Sequence, residues 1–364
     1  MTIYLITFAL SIFFYAFAIR IQQKWARTFC LIISILIPAA VAGVRDLSVG
    51  ADLGGGYGIV VWKLAIHSDS FYKLQSSLND IEFIYLALNF ITSRYTTDIH
   101  WFLFIHECVI MTLIVWAALR CKEKFNSEFI LIFILFYLYC ISFSMLRQSI
   151  AVASVLLAST WIFENQMKKS IIPTYLGCLA HSSAFFAIFL YPFKYVVEKF
   201  FNKKKILILL MALFGFIGFS FYAVIMQWLM SIGLYSNHYE LYVGQTGFKT
   251  HKIDIALILG LIASLYTFVQ KEERNEPFFT YSLCLLVISF ILNLFGSIVE
   301  IAVRVAHYFM VVVAVVLPQS AKHKLCRFRL ECASIILLIV QFVYLAITTG
   351  FDCAVPYKSF LLGL

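Results

Sequence analysis

The chain has 364 residues, of which 62% are hydrophobic and 13% charged, whereas an ordinary soluble domain is nearer half apolar and a quarter charged. That balance, with a mean hydropathy of +0.92, excludes a water-soluble enzyme. The formal charge of +9 does not point to nucleic acid, because the basic residues sit in short clusters between apolar runs, where the positive-inside bias of membrane proteins places them.

Apolar runs long enough to cross a hydrocarbon core of roughly 30 Å as helices recur from end to end. They lie near 2–19, 28–43, 100–119, 127–145, 148–165, 206–230, 254–270, 277–296, 299–319 and 331–349, with a proline-interrupted stretch at 170–193. The expected fold is all-α: a polytopic transmembrane helical bundle of about 11–13 membrane segments, with residues 1–364 forming one integral membrane domain. The first run has no basic leader and no small-x-small cleavage site, so it reads as a retained span. The nine cysteines are scattered, mostly in apolar runs and without a Cys-x-x-Cys pair, and read as packing residues.

Lys and Arg orient the chain. Arg20, Lys24 and Arg27 follow the first run and none precedes it, which places the amino terminus outside. Residues 44–99 then form a first outer loop and 231–253 a second. If the half-apolar segment 81–93 crossed the membrane, Arg120, Lys122 and Lys124 would fall outside, so it is expected to lie in the interface. The same argument makes 170–200 a broken hairpin with its tip near His181, which returns Lys194, Lys199 and Lys203 to the inside beside Lys168 and Lys169. Pro173 and the pair Ser182 and Ser183 favour the break.

Ionisable residues in or beside spans are costly to keep there and are candidates for function. In this topology Arg45, Asp46 and Asp52 start the first outer loop, Glu82 lies on its interfacial segment, and Arg147 and Gln148 sit at an outer turn. His238 and Glu240 fall in the second outer loop. Thirty-nine helical residues from 127 to 165 would reach about 58 Å, nearly twice the hydrocarbon thickness, so the chain must break near its polar stretch Ser142 to Ser149. Arg147 therefore sits at a turn or helix start, a place for a phosphate if it is not simply an arginine snorkelling to the interface. Glu300, Arg304 and His307 are spaced i, i+4, i+7 on one helical face, either lining a polar cavity or forming an internal ion pair. His181, within the apolar stretch Leu176 to Leu190, is either a base or a helix-to-helix hydrogen bonder. Gly43, Gly50 and the triplet Gly54 to Gly56 permit a tight loop around Arg45, Asp46 and Asp52.

These residues resemble the EpsG/Wzy family of polysaccharide polymerases. The family pattern is matched by Gly43-Val44-Arg45-Asp46, Val49-Gly50-Ala51-Asp52 with Tyr57, Glu82, Arg147-Gln148-Ser149-Ile150-Ala151 and His181-Ser182-Ser183-Ala184, with Arg304 and Tyr308-Phe309 on a late helix. Ala51 stands where the pattern usually has threonine. The resemblance implies a GT-C-like fold in the bacterial inner membrane. It implies an enzyme that joins undecaprenyl-pyrophosphate-linked oligosaccharide repeat units into O-antigen or a related surface polysaccharide at the periplasmic face. Membrane lipid and a chain-length regulator protein are the expected partners; no nucleic acid, cofactor or metal is called for.

For that chemistry Arg45, Arg147 and Arg304 are candidates to hold a departing pyrophosphate. Gln148, Glu300, His307, Tyr57 and Glu82 complete the expected substrate-binding set. The acceptor hydroxyl needs a base, with His181, Asp52 and Asp46 as candidates and His181 the best matched to neutral pH. Two rival classes, a flippase or transporter of lipid-linked oligosaccharide and a membrane sugar acyltransferase, use similar residues. Gel analysis separates them, because lost polymerisation leaves single capped repeats, lost flipping leaves no surface sugar and lost acylation leaves chain length intact.

Overall fold

The computed structural model describes residues 1–122, 127–220, 252–296 and 300–364, together with residues 224 and 231. The described chain is helical, without a strand, and six of its helices are long and apolar enough to cross a membrane. These are Lys24–Gly43, Ile99–Cys121, Leu146–Phe163, Glu276–Gly296, Ala302–Ser320 and Lys324–Thr348. Five shorter apolar helices accompany them. The chain is a multi-pass membrane protein. Of the expected run 206–230, the helix Lys204–Ser220 is described; the second outer loop, with His238 and Glu240, lies outside the described residues except at its ends.

The described chain falls into two compact units. The first comprises Met1–Leu157, Tyr175–His181 and Phe342–Leu364. Its frame is four helices, α1 (Thr2–Ala18), α2 (Lys24–Gly43), α7 (Ile99–Cys121) and α8 (Ser127–Ser142), with α1 against α2 and α8, and α7 against α2 and α8. Between α2 and α7 lie the short helices α3 (Ala51–Gly54), α4 (Tyr57–His67), α5 (Phe71–Ser77) and α6 (Phe83–Ser93). An 11-residue helix such as α6 is only ~16 Å long, about half a hydrocarbon core.

Sequence reading places one interfacial segment in this loop, whereas the structure shows a folded cap with its own core. Leu53, Val61, Trp62, Ala65, Tyr85 and Leu86 are buried together there against Phe102 and Leu103 of α7. The difference is one of length. The apolar positions of α4 recur at helical spacing over 11 residues among glycines and polar side chains, too short a run to register as a span.

The expected break in 127–165 is present. Helix α8 ends at Ser142, and α9 (Leu146–Phe163) begins after a three-residue turn. The loop from Val44 is tied to this turn and to the carboxyl-terminal segment. The Ala51 amide donates to Ser144 Oγ at 3.0 Å, and Gly50 N donates to the Cys353 carbonyl at 3.1 Å. Asp46 N donates to the Lys358 carbonyl at 2.8 Å, and Ser359 Oγ to the Val44 carbonyl at 2.6 Å. Buried backbone groups seek such partners, so the tail acts as a brace for the loop.

Gly50 has φ of 97°, and a Cβ there would lie 2.3 Å from the Phe143 carbonyl oxygen. Gly50→Ala is therefore expected to destabilise the first unit by on the order of 2–3 kcal/mol, read as a lower midpoint of thermal unfolding in detergent. An unchanged midpoint would contradict this close approach.

The second unit comprises Ala158–Thr174 and Ser182–Gln341. Helix α10 (Met167–Ala180) contains Pro173, yet it continues to Ala180 and stops before His181; a 3-10 helix, Ser182–Phe189, and α11 (Leu190–Phe200) follow. Tyr191 Oη meets Ser170 Oγ at 2.8 Å and Thr174 Oγ1 at 3.0 Å, while Lys194 Nζ donates to Asn165 Oδ1. The pairing of 170 with 191 and 165 with 194 makes α11 run back along α10, so the broken hairpin is formed. Lys194 is not a solvated charge as its cluster suggests: its side chain is 3% exposed and pairs with Glu198 at 2.8 Å. The later helices, α12 (Lys204–Ser220), α13 (Lys252–Phe268), α14 (Glu276–Gly296), α15 (Glu300–Val316) and α16 (Lys324–Thr348), complete the unit, with α14 packed on α12, α13 and α15.

Candidate functional site

In the first unit, residues from four separate stretches of sequence meet around one carboxylate. Glu82, the residue before α6, accepts a hydrogen bond at Oε2 from Arg147 Nη1 at 2.6 Å. Its other oxygen, Oε1, lies 3.9 Å from Nδ1 of His181, at the point where α10 ends. The Arg147 guanidinium stands over the Tyr57 ring, with Cζ 5.1 Å from its centre, and the Tyr57 ring stacks on Tyr85 at 6.4 Å and 16°. Arg147 and Glu82 are 22% and 14% exposed and His181 only 4%, a partly desolvated setting in which charge interactions exceed those at a free surface.

Arg147 is held by the helix it starts. The break after Ser142 places Leu146 at the first turn of α9, and Asp52 Oδ2 accepts the Leu146 N–H at 2.9 Å. A carboxylate there satisfies an unpaired helical donor and favours the positive end of the helix. Asp52 and Arg147 are thus brought together, with Asp52 in a capping geometry. Gln148, next along α9, is buried.

Two residues of the same loop are placed differently. Arg45 is 1% exposed, its guanidinium 4.0 Å from the centre of the Phe143 ring, and its Nε and Nη2 have no hydrogen-bond partner. The Glu107 carboxylate, also buried, is the opposite charge acting on it. Asp46 turns outward and accepts from Ser48 N at 2.8 Å and Ser48 Oγ at 2.6 Å, bonds that hold its carboxyl below the usual range. Hydrogen bonds to the ionised form make it a weaker base.

Arg304 and His307 lie on α15 in the second unit, Arg304 half-buried and His307 buried. Tyr308 beside them is fully buried, its hydroxyl 2.9 Å from Ser183 Oγ. Glu300 begins the helix; its side chain lies outside the described part.

Two buried residues escape the sequence reading. His106 and Glu107, in the middle of α7, are each 1% exposed, so His106 is a second histidine deep in an apolar stretch beside His181. His106 Nε2 lies 2.7 Å from the Leu146 carbonyl oxygen, which can only accept, so the imidazole donates. Glu107 Oε2 lies 3.3 Å from Ser142 Oγ. An adjacent His and Glu inside a span are costly unless partnered, and that adjacency is the sequence signal that marks them.

Residues 28–359 match the model of the EpsG family. No curated protein and no solved structure matches the chain. The family match covers all four stretches that meet at Glu82 and both ends of the braced loop, and with it the chain belongs to the EpsG family.

Proposed function

We propose that the chain is a membrane glycosyltransferase that joins oligosaccharide repeat units carried on undecaprenyl pyrophosphate, at the periplasmic face of the bacterial inner membrane. Family membership supports a polysaccharide-polymerase type of function. The observation that carries the finer reading is the grouping of a guanidinium, an imidazole and two aromatic rings around Glu82. In the step, the bond between the donor's anomeric carbon and the pyrophosphate oxygen breaks, and one to an acceptor hydroxyl oxygen forms. The hydroxyl proton passes to His181, and the leaving diphosphate takes the negative charge, which Arg147 stabilises. Glu82 orients both groups, Tyr57 offers a face for a sugar, and Asp52 fixes the start of α9.

Arg45, beneath Phe143, supports the loop in this reading, and Asp46 holds its turn. The resemblance assigns Arg304 and Gln148 to the same substrate, and the i, i+4, i+7 spacing adds Glu300 and His307; this part rests on sequence, and Arg304→Ala in the assay below decides it for the arginine. The assay uses purified protein in detergent with a synthetic lipid-pyrophosphate repeat unit. A ladder of products is expected without nucleotide or added metal, and its absence from folded, monodisperse protein would overturn the proposal.

A further inference from the structure

We infer that His106 is a positioning residue for Arg147, acting through the backbone of Leu146. This rests on the role proposed for Arg147, and its structural half does not depend on the substrate.

Leu146 is held at both of its backbone polar groups, the N–H and the C=O, by side chains from other elements. Asp52 accepts its N–H at 2.9 Å, and His106 donates to its carbonyl at 2.7 Å. The next residue is Arg147, whose Nη1 reaches Glu82 at 2.6 Å. The carbonyl of Leu146 is joined to the amide nitrogen of Arg147, so fixing that carbonyl fixes the peptide plane from which the guanidinium is projected. Glu107, next to His106, lies 3.3 Å from Ser142 Oγ at the end of α8, so two consecutive residues of α7 touch both sides of the α8–α9 break.

The cost of keeping these groups in place argues for such a role. An imidazole and a carboxylate, each 1% exposed inside a 23-residue apolar helix, are retained where leucine would pack at no desolvation cost. The turn at 143–145 interrupts a helix between two apolar segments, and without the clamp it could extend in either direction and move Arg147 off Glu82. Misplacing a catalytic group by about 1 Å can cost on the order of 10²-fold in rate.

The prediction separates donor from bulk. His106→Gln keeps an N–H near the position of Nε2, whereas His106→Leu fills the space and removes the donor. In His106→Leu, kcat for the lipid-pyrophosphate substrate is expected to fall on the order of 10²-fold with KM changed far less, and amide hydrogen exchange in 143–150 to rise. In His106→Gln both are expected to return close to wild type. A His106→Leu variant with wild-type exchange in that segment, or a His106→Gln variant no better than His106→Leu, overturns the inference. Should His106→Leu fail to accumulate in the membrane, His106→Asn replaces it: its shorter amide does not reach the carbonyl, so it must behave as the donor-free variant. If the wild-type protein makes no ladder, the proposed function fails, and the exchange data alone decide the clamp.

Discussion

Arg147→Ala is expected to abolish long products while the protein still reaches the membrane. Removing a preformed donor aimed at developing negative charge costs roughly 10²–10³-fold in turnover, and Arg147 is the cation paired with Glu82 in the cluster. The substitution also strands Glu82. Breaking a fully buried ion pair costs about 3–5 kcal/mol, but these side chains are 22% and 14% exposed, so the loss of stability here is a fraction of that. Arg147→Lys divides the two effects. An ammonium restores a counter-charge for Glu82 and with it most of the stability, yet it lacks the planar fork that grips two phosphate oxygens. Arg147→Lys is therefore expected to unfold near the wild-type temperature and to make little polymer. Chain lengths on gels, with membrane abundance measured in parallel, provide the check; long chains from Arg147→Ala would remove the phosphate assignment.

Much of this cluster is legible in the sequence, for a physical reason. Asp52, Tyr57, Glu82, Arg147 and His181 stand out because polar and glycine residues interrupt apolar runs, and helix length alone forces the break before Arg147. Side-chain direction is not legible. Arg45 and Asp46 are neighbours in one loop, yet one is buried under Phe143 and the other turns outward to Ser48. Residue type and spacing give both the same standing, and the brace from 353–359 that sets their orientation is more than 300 positions away. His106 and Glu107 are hidden by the opposite effect, since the run around them is so apolar that its span character masks them. The folded cap of α3 to α6 is missed because its core is built from short helices, each below the length at which hydropathy speaks.

Glu82→Gln is expected to change the pH dependence of the reaction as well as its rate. Each carboxylate oxygen faces a different group, Oε2 toward Arg147 and Oε1 toward His181 at 3.9 Å. A glutamine has one acceptor oxygen and one donor nitrogen, so it can keep the hydrogen bond from Arg147 only by turning its NH2 toward the imidazole. A carboxylate near an imidazole favours the protonated form, and removing that charge disfavours it. With His181 as base, the neutral imidazole then persists to lower pH, so the acid limb of kcat/KM moves to lower pH in Glu82→Gln. The maximal rate falls by roughly tenfold or more as Arg147 and His181 lose their shared anchor. His181→Ala differs in kind: general-base assistance is lost, worth typically 10²–10⁴-fold, and the limb itself disappears. A Glu82→Gln profile that superimposes on the wild-type curve would separate Glu82 from the base. A His181→Ala enzyme that keeps the limb would move the base to another group, and Asp52, which holds the Leu146 amide at the start of the same helix as Arg147, is the carboxylate to test next.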